Sequence, residues 1–344
     1  MKANRSRSPI FYSPDVTYHA DTCEPLRQAV AREETRLVAL CRRGYPGHPL
    51  PPQMLPEVST VGFWDAANEQ AWGLDWHRNE GIELSFMARG KTEFLVDDKA
   101  YLLESGHLTI TRPWQQHRVG NPHISASRLH WLILDVGVRR PDQTWKWPKW
   151  LIMAPDDLQR LTTLLSQNEQ PVWRANAAIG ECFEKIAAVV DTREPLAVHT
   201  RLQLRINELF VTVLELLQEK KVVLDARLTT RRRTVEMFLA DLPQHLEKPW
   251  TLGEMAGRCG LHRSRFAGYC QEITNLTPTE YLVRCRVEAA KIILRTKPEL
   301  SITDIAFDCG FQSSQYFATV FHQQTGQSPS DYRRARTSTQ STKS

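Results

Sequence analysis

The sequence predicts a multidomain protein with an all-β N-terminal part, a helical connector and an all-α C-terminal domain. Three observations predict this fold class. Short apolar runs punctuated by Gly, Asn and Pro fill residues 58–140, which is typical of a β-sandwich or barrel. Helical periodicity replaces them from residue 155 onward. Finally, one pattern occurs twice, as TLGEMAGRCGL at 251–261 and SITDIAFDCGF at 301–311.

Length and composition are those of a soluble globular protein. A chain of 344 residues is long enough for two or three domains. It has no apolar run long enough to span a bilayer and no N-terminal apolar segment with a cleavage site, so we expect no membrane partner. The seven cysteines are scattered, odd in number and never spaced C-x-x-C. This argues against a disulfide framework or a zinc knuckle and favours a reducing, cytoplasmic location.

Basic charge is concentrated in the last third of the chain. Residues 227–336 hold 16 Lys and Arg against 11 Asp and Glu, whereas residues 1–226 hold 27 against 28. A local excess of 5 positive charges favours a polyanionic partner such as DNA. Ordinary surface charge is the alternative explanation.

These patterns divide the chain into five segments. The first contains an amphipathic helix at 24–43, followed by a Pro-rich linker. The third contains an apolar stripe with 4-3-4-3 spacing, which packs either into its own domain or along a dimer seam. The stripe consists of Leu202, Ile206, Leu209, Val213 and Leu216. The segments are 1–57 (arm), 58–140 (β-barrel), 141–226 (helical connector and dimerisation region), 227–336 (helical domain) and 337–344 (disordered tail).

Each copy of the repeated pattern predicts a helix, a tight turn and a second helix. Thr251 and Ser301 are the expected N-caps, each followed three residues later by an acidic residue. Gly260 and Gly310 supply the positive φ that ends the first helix of each copy. Both copies close alike, with LTPTEY and QSPSDY, where a hydroxyl residue caps a new helix and Pro takes its first position.

The connection between the two copies predicts a DNA-binding geometry. Residues 279–296 have a helical pattern, and 18 residues at ~1.5 Å rise span roughly 27 Å. One turn of B-DNA is roughly 34 Å long, and a helix–turn–helix presents its second helix to the major groove. The connector is therefore suited to hold two reading helices near adjacent major-groove segments.

Helical periodicity separates the buried from the exposed residues of the two second helices. The residues expected to face inward are Phe266, Cys270, Ile273, Phe317, Phe321 and Gln324. Those expected to face DNA are Arg263, Ser264, Arg265, Ala267, Gly268 and Gln271 in the first copy, and Ser314, Gln315, Ala318, Thr319 and His322 in the second.

The outward residues differ in what they offer to DNA. The amide of Gln315 is suited to pair bidentately with adenine. Arg263 and Arg265 pair with guanine or grip phosphate, and phosphate is favoured for a lone Arg at a helix start. Ala267 is suited to contact a thymine methyl, and Gly268 permits close backbone approach. We therefore expect hydrogen-bonded readout from the second copy and phosphate anchoring from the first.

The stretch from about 233 to 336 resembles the DNA-binding domain of AraC/XylS-type bacterial transcription regulators. The second copy, SITDIAFDCGFQSSQYFATVFHQQTGQSPSDYR, contains the motifs A-x-x-x-G-F, Y-F, F and G-x-S-P-x-x-Y-R. The first copy departs more, at Leu261, Phe266, Tyr269 and Cys270. The resemblance covers nearly a third of the chain and implies binding to double-stranded DNA.

The same family commonly attaches this domain to a cupin-type barrel that binds an inducer, and residues 72–135 resemble such a barrel. The resemblance implies that His77, Glu83 and His117 line the barrel mouth. Metal-binding cupins usually carry an H-x-H pair, of which one ligand is missing here, so we expect no metal and no cofactor. Trp76 and Trp131 are further candidate ligand contacts because Trp faces stack against sugars, although packing in the barrel core is the alternative.

The function hypothesis is a ligand-responsive transcription regulator, and not an enzyme. It is a homodimer that activates genes for uptake or catabolism of a small molecule. Its partners are operator DNA, an effector for which a carbohydrate is one candidate, and RNA polymerase. The alternative is a cupin metalloenzyme with a DNA-binding regulatory appendage, which requires a bound metal. A methyl-accepting repair regulator requires a cluster of zinc-binding cysteines that the sequence lacks.

Overall fold

The protein is described by a computed structural model covering residues 23–42, 44–97, 99–120, 123–192 and 198–340. These residues divide into two units, with the boundary between Thr230 and Arg231. Among the described residues, no helix combines the length and apolar character needed to cross a membrane.

The first unit is rich in β-structure, as predicted. Its strands form a seven-stranded sheet in the order β11-β8-β5-β10-β3-β1-β2 and a four-stranded sheet in the order β4-β9-β6-β7. Within the described residues the two sheets do not close into the expected barrel. The strands are β1 (Arg36–Cys41), β2 (His48–Pro49), β3 (Val58–Ala66), β4 (Leu74–His77), β5 (Ile82–Arg89), β6 (Lys91–Val96), β7 (Lys99–Glu104), β8 (His107–Thr111), β9 (His117–Val119), β10 (Ser127–Leu134) and β11 (Val172–Arg174).

The prediction of one helix at 24–43 is wrong in its second half. Helix α1 covers Glu24–Ala31, and Glu33 then adopts a positive φ of 59°, which a helix does not accommodate. Strand β1 follows and pairs antiparallel with β3 along its full length. Pairing with a strand distant in sequence therefore overrides the local helical pattern. The predicted arm at 1–57 is consequently no separate segment, although residues 1–22 lie outside the described part.

Three further helices follow β10 in the first unit, and the second of them packs directly on the large sheet. They are α2 (Pro155–Ser166), α3 (Ala177–Val190) and α4 (Val198–Glu219). The segment 141–226 is not purely helical, because β11 pairs with β8 in the sheet. The apolar stripe of α4 is at most 1% exposed and belongs to the core of its own unit. It is therefore not available as a dimer seam.

The second unit is entirely helical in its described residues. Its helices are α5 (Arg231–Asp241), α6 (Leu252–Arg258), α7 (Arg263–Thr274), α8 (Pro278–Thr296), α9 (Ile302–Asp308), α10 (Ser314–Thr325) and α11 (Pro329–Gln340). Two small cores, one containing Phe266 and one containing Phe317, pack against successive parts of α8. The predicted tail at 337–344 is partly wrong, because α11 continues through Gln340. Once the first turn of a helix has formed at Pro329, each added residue gains a backbone hydrogen bond at little cost in free energy, which explains the longer helix. Residues 341–344 lie outside the described part.

Candidate nucleic-acid interface and ligand site

The caps and turns of the two helix–turn–helix units form as their sequences predict. Thr251 and Glu254 make a complete capping box at α6. Ser301 accepts a hydrogen bond from the backbone N–H of Asp304 at 3.0 Å and caps α9. The turns that follow contain Gly260 at φ +65° and Gly310 at φ +84°, the left-handed conformation that glycine adopts without strain.

Helix α7 presents one basic, exposed face. Its buried side is formed by Phe266 and Cys270, with Ile273 partly buried. The predicted DNA-facing residues that are exposed are Arg263, Ser264, Arg265, Gly268 and Gln271, whereas Ala267 is half-buried.

The two arginines at the start of α7 are held in different ways. The guanidinium of Arg265 lies 4.8 Å from the ring centre of Tyr269 and donates to its hydroxyl at 3.1 Å. The Nη2 atom of Arg263 would lie 3.1 Å from a Cβ atom placed on Gly253 of α6. Glycine at this position therefore leaves room for the Arg263 side chain to lie across α6.

Helix α10 presents a neutral polar face. Phe317, Val320 and Phe321 are buried. The predicted DNA-facing residues that are exposed are Gln315, Thr319 and His322, whereas Ser314 and Ala318 are half-buried.

Two features of α10 were not predicted correctly. Gln324 was expected to face inward, yet it is exposed. Among the described residues, Phe321 is the last residue of α10 in the core of this unit, so Gln324 lies beyond that core and faces solvent. Tyr316 was overlooked, although 52% of it is exposed beside Gln315. An aromatic residue in the first turn of a reading helix was the signal that could have identified it.

The candidate ligand site lies between the two sheets of the first unit. His77 at the end of β4 pairs in register with His117 at the start of β9, and their ring centres are 4.2 Å apart. Glu83 of β5 belongs to the other sheet, and its Oε2 atom lies 3.0 Å from Nε2 of His117. The structure therefore brings together the three polar residues that sequence reasoning selected.

Hydrogen bonds fix the carboxylate of Glu83 on both of its oxygens. Ser85 donates to Oε1 at 2.9 Å, and the amide of Asn79 donates to Oε2 at 2.6 Å. Asn79 is oriented in turn by the hydroxyl of Tyr45, which donates to its Oδ1 at 2.9 Å. Asn79 and Tyr45 were not predicted. The position of Asn79, two residues after His77, was the available signal.

Burial and pairing set the charges in this cluster. Burial, followed by the nearby His117, lowers the pKa of His77 to about 4, so the ring is neutral at neutral pH. Burial also opposes the charged form of His117, but the hydrogen bond to Glu83 outweighs it and leaves the pKa of His117 raised. Burial alone would raise the pKa of Glu83, but the hydrogen bond with His117 outweighs this effect, and the pKa of Glu83 is lowered. A neutral His77 therefore lies beside a His117–Glu83 ion pair.

A small cavity of about 50 Å³ adjoins the cluster. His77, Asn79 and Glu83 form part of its polar wall, and Trp64 and Trp131 contribute to its apolar wall. Trp131 donates its indole N–H to the hydroxyl of Thr60 at 3.1 Å. Because this N–H is already bonded, Trp131 contributes only its apolar ring to the cavity wall.

Trp76, in contrast, is absent from the cavity wall and lies beneath the guanidinium of Arg118 at 5.4 Å. The aromatic residue that the sequence reasoning missed is Trp64. It is buried and packs against Trp131 with ring centres 5.8 Å apart.

The fold and these sites define a class of protein with a β-rich ligand-binding unit and a helical unit containing two helix–turn–helix motifs. The chain belongs to the AraC family of transcription regulators. Residues 65–206 match the family model of the AraC-like ligand binding domain, and residues 255–335 match that of a helix-turn-helix domain.

Known regulators are similar to this chain over most of their own length. The HTH-type transcriptional activator RhaS of Klebsiella pneumoniae is 30% identical over 195 residues, which are 54% of this chain and 68% of the relative. The activator RhaR of Salmonella schwarzengrund is 23% identical over 261 residues, which are 75% of this chain and 86% of the relative. The solved DNA-binding domain of AdpA in complex with a target DNA is 30% identical, with a TM-score of 0.27, and covers 28% of this chain and 90% of that domain.

Proposed function

We propose that the chain is a ligand-responsive, sequence-specific transcription activator that reads DNA with helices α7 and α10. The observation that carries this proposal is the pair of helix–turn–helix units joined by α8, with the predicted reading faces largely exposed. Helix α8 has 19 residues, which span about 28 Å at 1.5 Å per residue. This length is close to the roughly 34 Å turn of B-DNA that separates adjacent major-groove segments.

The two reading helices divide the work of recognition. On α10, the exposed amide of Gln315 offers a donor and an acceptor to a base edge. On α7, Arg265 is bound by Tyr269, and Arg263 lies beside α6. Both are suited to phosphate, because their guanidinium groups lie at the beginning of the helix rather than at its centre. Gly268 lets the phosphate backbone or a base edge approach α7 closely.

We also propose that the cavity beside Trp131 and Glu83 receives the effector. At about 50 Å³ it holds a few water molecules, since each needs roughly 10–15 Å³. A carbohydrate, the effector suggested by the aromatic wall, therefore enters only if the surrounding side chains move. Such movement is the expected source of the switch, because an effector shifts an equilibrium only through different affinities for the two states.

A homodimer and contact with RNA polymerase belong to the same proposal. The stripe of α4 is buried in its own core, but Leu204 and Val211, seven residues apart on the same helix, are 54% and 40% exposed. Two such residues on one face support association of α4 with a second copy. The relatives RhaS and RhaR are transcriptional activators, which favours activation over the metalloenzyme alternative.

Selection of binding sites from random duplex DNA tests the DNA-binding proposal. The full chain is expected to enrich one motif with two half-elements about one helical turn apart. Its affinity should fall with salt at a log–log slope of about −0.9 for each phosphate contact. Failure to enrich any sequence would overturn the proposal.

A thermal-shift screen of the full chain with sugars and small metabolites tests the effector proposal separately. Nine of the ten Trp residues precede Arg231, so Trp fluorescence reports mainly on the unit that holds the cavity. Trp131→Ala is expected to abolish a shift that Trp76→Ala leaves intact, because Trp76 lies outside the cavity wall. Equal loss in both variants would contradict the assignment.

A further inference from the structure

The cluster of His77, Glu83 and His117 has a geometry beyond that of a polar cavity wall. One ligand atom from each residue lies within 4.8 Å of the other two, and the cluster joins the two sheets. We infer that this cluster binds a divalent first-row transition-metal ion such as Zn²⁺, through Nε2 of both histidines and the carboxylate of Glu83. This inference replaces the sequence-based expectation that no metal binds.

The separations of the donor atoms fit a common metal ion. A zinc ion lies about 2.0–2.2 Å from each imidazole nitrogen or carboxylate oxygen, so two of its ligands are at most about 4 Å apart. The 3.0 Å between Glu83 and His117 already falls within this limit. The widest separation of 4.8 Å requires the side chains to close by less than about 1 Å, given the same bond lengths.

Backbone hydrogen bonds aim both imidazoles at the common centre. Nδ1 of His77 lies 2.7 Å from the carbonyl oxygen of Asp75, and Nδ1 of His117 lies 2.9 Å from that of Gln115. A carbonyl only accepts, so each Nδ1 carries a proton and donates it. In the neutral ring of His77, Nε2 then holds the lone pair that a metal requires. Nε2 of His117 holds the proton of the ion pair with Glu83, so a metal that binds there displaces this proton.

A supporting shell surrounds the third ligand. Ser85 and Asn79 each donate to the carboxylate of Glu83, and Tyr45 orients Asn79. Outer hydrogen bonds of this kind fix ligand orientation in metal sites. Protonated His117 balances the charge of this carboxylate in the metal-free site, and a bound dication would take over that role.

The ligand set indicates the class of metal and leaves room for another molecule. Two imidazoles and one carboxylate suit Zn²⁺, Fe²⁺ or Ni²⁺, whereas Mg²⁺ and Ca²⁺ prefer oxygen ligands alone. His77 and Glu83 border the cavity, so an ion held by them would lie beside it. An effector with oxygen or nitrogen donors would bind there directly.

Metal titration of the purified full chain, stripped with a chelator and free of DNA, tests this inference. One equivalent of Co²⁺ is expected to bind and to give the visible absorption bands of nitrogen and oxygen ligation. Zn²⁺ should displace it, whereas Mg²⁺ should not. Absence of stoichiometric binding would overturn the inference. A sulfur-to-metal charge-transfer band would also overturn it, because the ligand set contains no cysteine.

Matched variants locate the site. Glu83→Gln and His117→Gln are each expected to weaken Zn²⁺ binding by more than the roughly 10- to 100-fold that loss of an outer-shell partner costs. His130→Gln, at a histidine as buried as His117, should bind as the wild type does. Wild-type affinity in Glu83→Gln and His117→Gln would contradict the assignment.

A measurement on the wild-type protein alone covers the case in which the variants fail to fold. Thermal unfolding of its first unit, followed by Trp fluorescence, should move to higher temperature with Zn²⁺ because the metal binds only the folded site. No shift at saturating Zn²⁺ would overturn the inference. Since no DNA is present, the outcome is independent of the DNA-binding proposal, and each can fail without the other.

Discussion

The hydroxyl of Thr319 donates a hydrogen bond to the backbone carbonyl of Gln315, one turn earlier on α10, at 3.0 Å. The Thr319 proton is therefore engaged within the helix, and the residue offers DNA its methyl group and oxygen lone pairs. Gln315 retains an exposed side-chain amide on the same face. The two residues thus contribute differently to base recognition.

We expect Gln315→Ala to remove most of the discrimination of the second unit. A bidentate amide–adenine pair contributes about 1–3 kcal/mol of discrimination against the wrong base. Thr319→Ala should reduce this discrimination less, because the Thr319 hydroxyl donates its proton within the helix and not to DNA. Competition between the selected site and its single-base variants measures the effect. Gln324→Ala is the matched control, because Gln324 lies nine residues after Gln315 and therefore about 180° from it around the helix. Unchanged site preference in the Gln315→Ala, Thr319→Ala double variant would contradict the assignment of α10 as a base reader.

We expect Gly268→Ala to stabilise the protein and to weaken DNA binding. A Cβ atom at Gly268 would meet nothing within 4 Å, and alanine is favoured over glycine within a helix by about 1 kcal/mol. The added methyl group would, however, separate α7 from DNA. Gly257→Ala on α6, also without neighbours within 4 Å, should stabilise similarly without loss of binding. Thermal unfolding measures the stability of both variants, and DNA titration measures their affinity. Equal DNA affinity for the two variants would refute a close approach of DNA to α7 at Gly268.

We expect Gly310→Ala to destabilise the second unit far more than Gly326→Ala. Both glycines have positive φ, 84° and 74°, and each alanine therefore incurs about 1–2 kcal/mol of backbone strain. At Gly310 the new Cβ would also lie 1.9 Å from the carbonyl oxygen of Leu246, whereas Gly326 has open space. Hydrogen exchange of the α9 and α10 amides measures the difference. Similar exchange rates in the two variants would show that Leu246 moves aside freely.

The helical unit was predictable because its signals are local. Caps, glycine turns and Pro at the first helical position each act within a few residues, and so the expected connector at 279–296 matches α8 at Pro278–Thr296. The exposure of Gln324 was missed because periodicity continues along a helix even where neighbouring elements end. Whether a partner covers the last turn is a tertiary property that the helix's own sequence does not contain.

The β-rich unit was less predictable because its pairings are distant in sequence. Strand β1 carries an apolar pattern that also fits a helix, and only its pairing with β3 decides between them. The same holds at the ligand site, where Tyr45 reaches Asn79 across 34 residues. His77, Glu83 and His117 were identified from the spacing of a family motif. The choice of Trp64 over Trp76 depends instead on which side chains of β3 and β4, strands of different sheets, border the cavity.

Buried His130 contributes to the way the stability of the first unit depends on pH. Its side chain is 1% exposed, and Arg128 donates from Nε to its Nε2 at 3.2 Å. Burial, followed by the charge of Arg128, lowers the pKa of His130 to about 3 from 6.5. Although Glu184 lies 3.3 Å away, the ring is therefore neutral near neutral pH and forms no ion pair with it.

We expect the first unit to lose stability as pH falls below about 6.5, the usual pKa of an exposed histidine. In this range the unfolded state binds a proton that the folded state does not, so the contribution of His130 is fully present above pH 6.5. It is lost progressively toward the folded pKa of about 3, at up to about 1.4 kcal/mol per pH unit. Trp-monitored unfolding of the chelator-treated protein between pH 7 and 5 measures the slope. His130→Gln should reduce the slope without abolishing it, because the pKa of buried His77 is also lowered, to about 4. An equal slope in wild type and His130→Gln would show that His130 is protonated in the folded state.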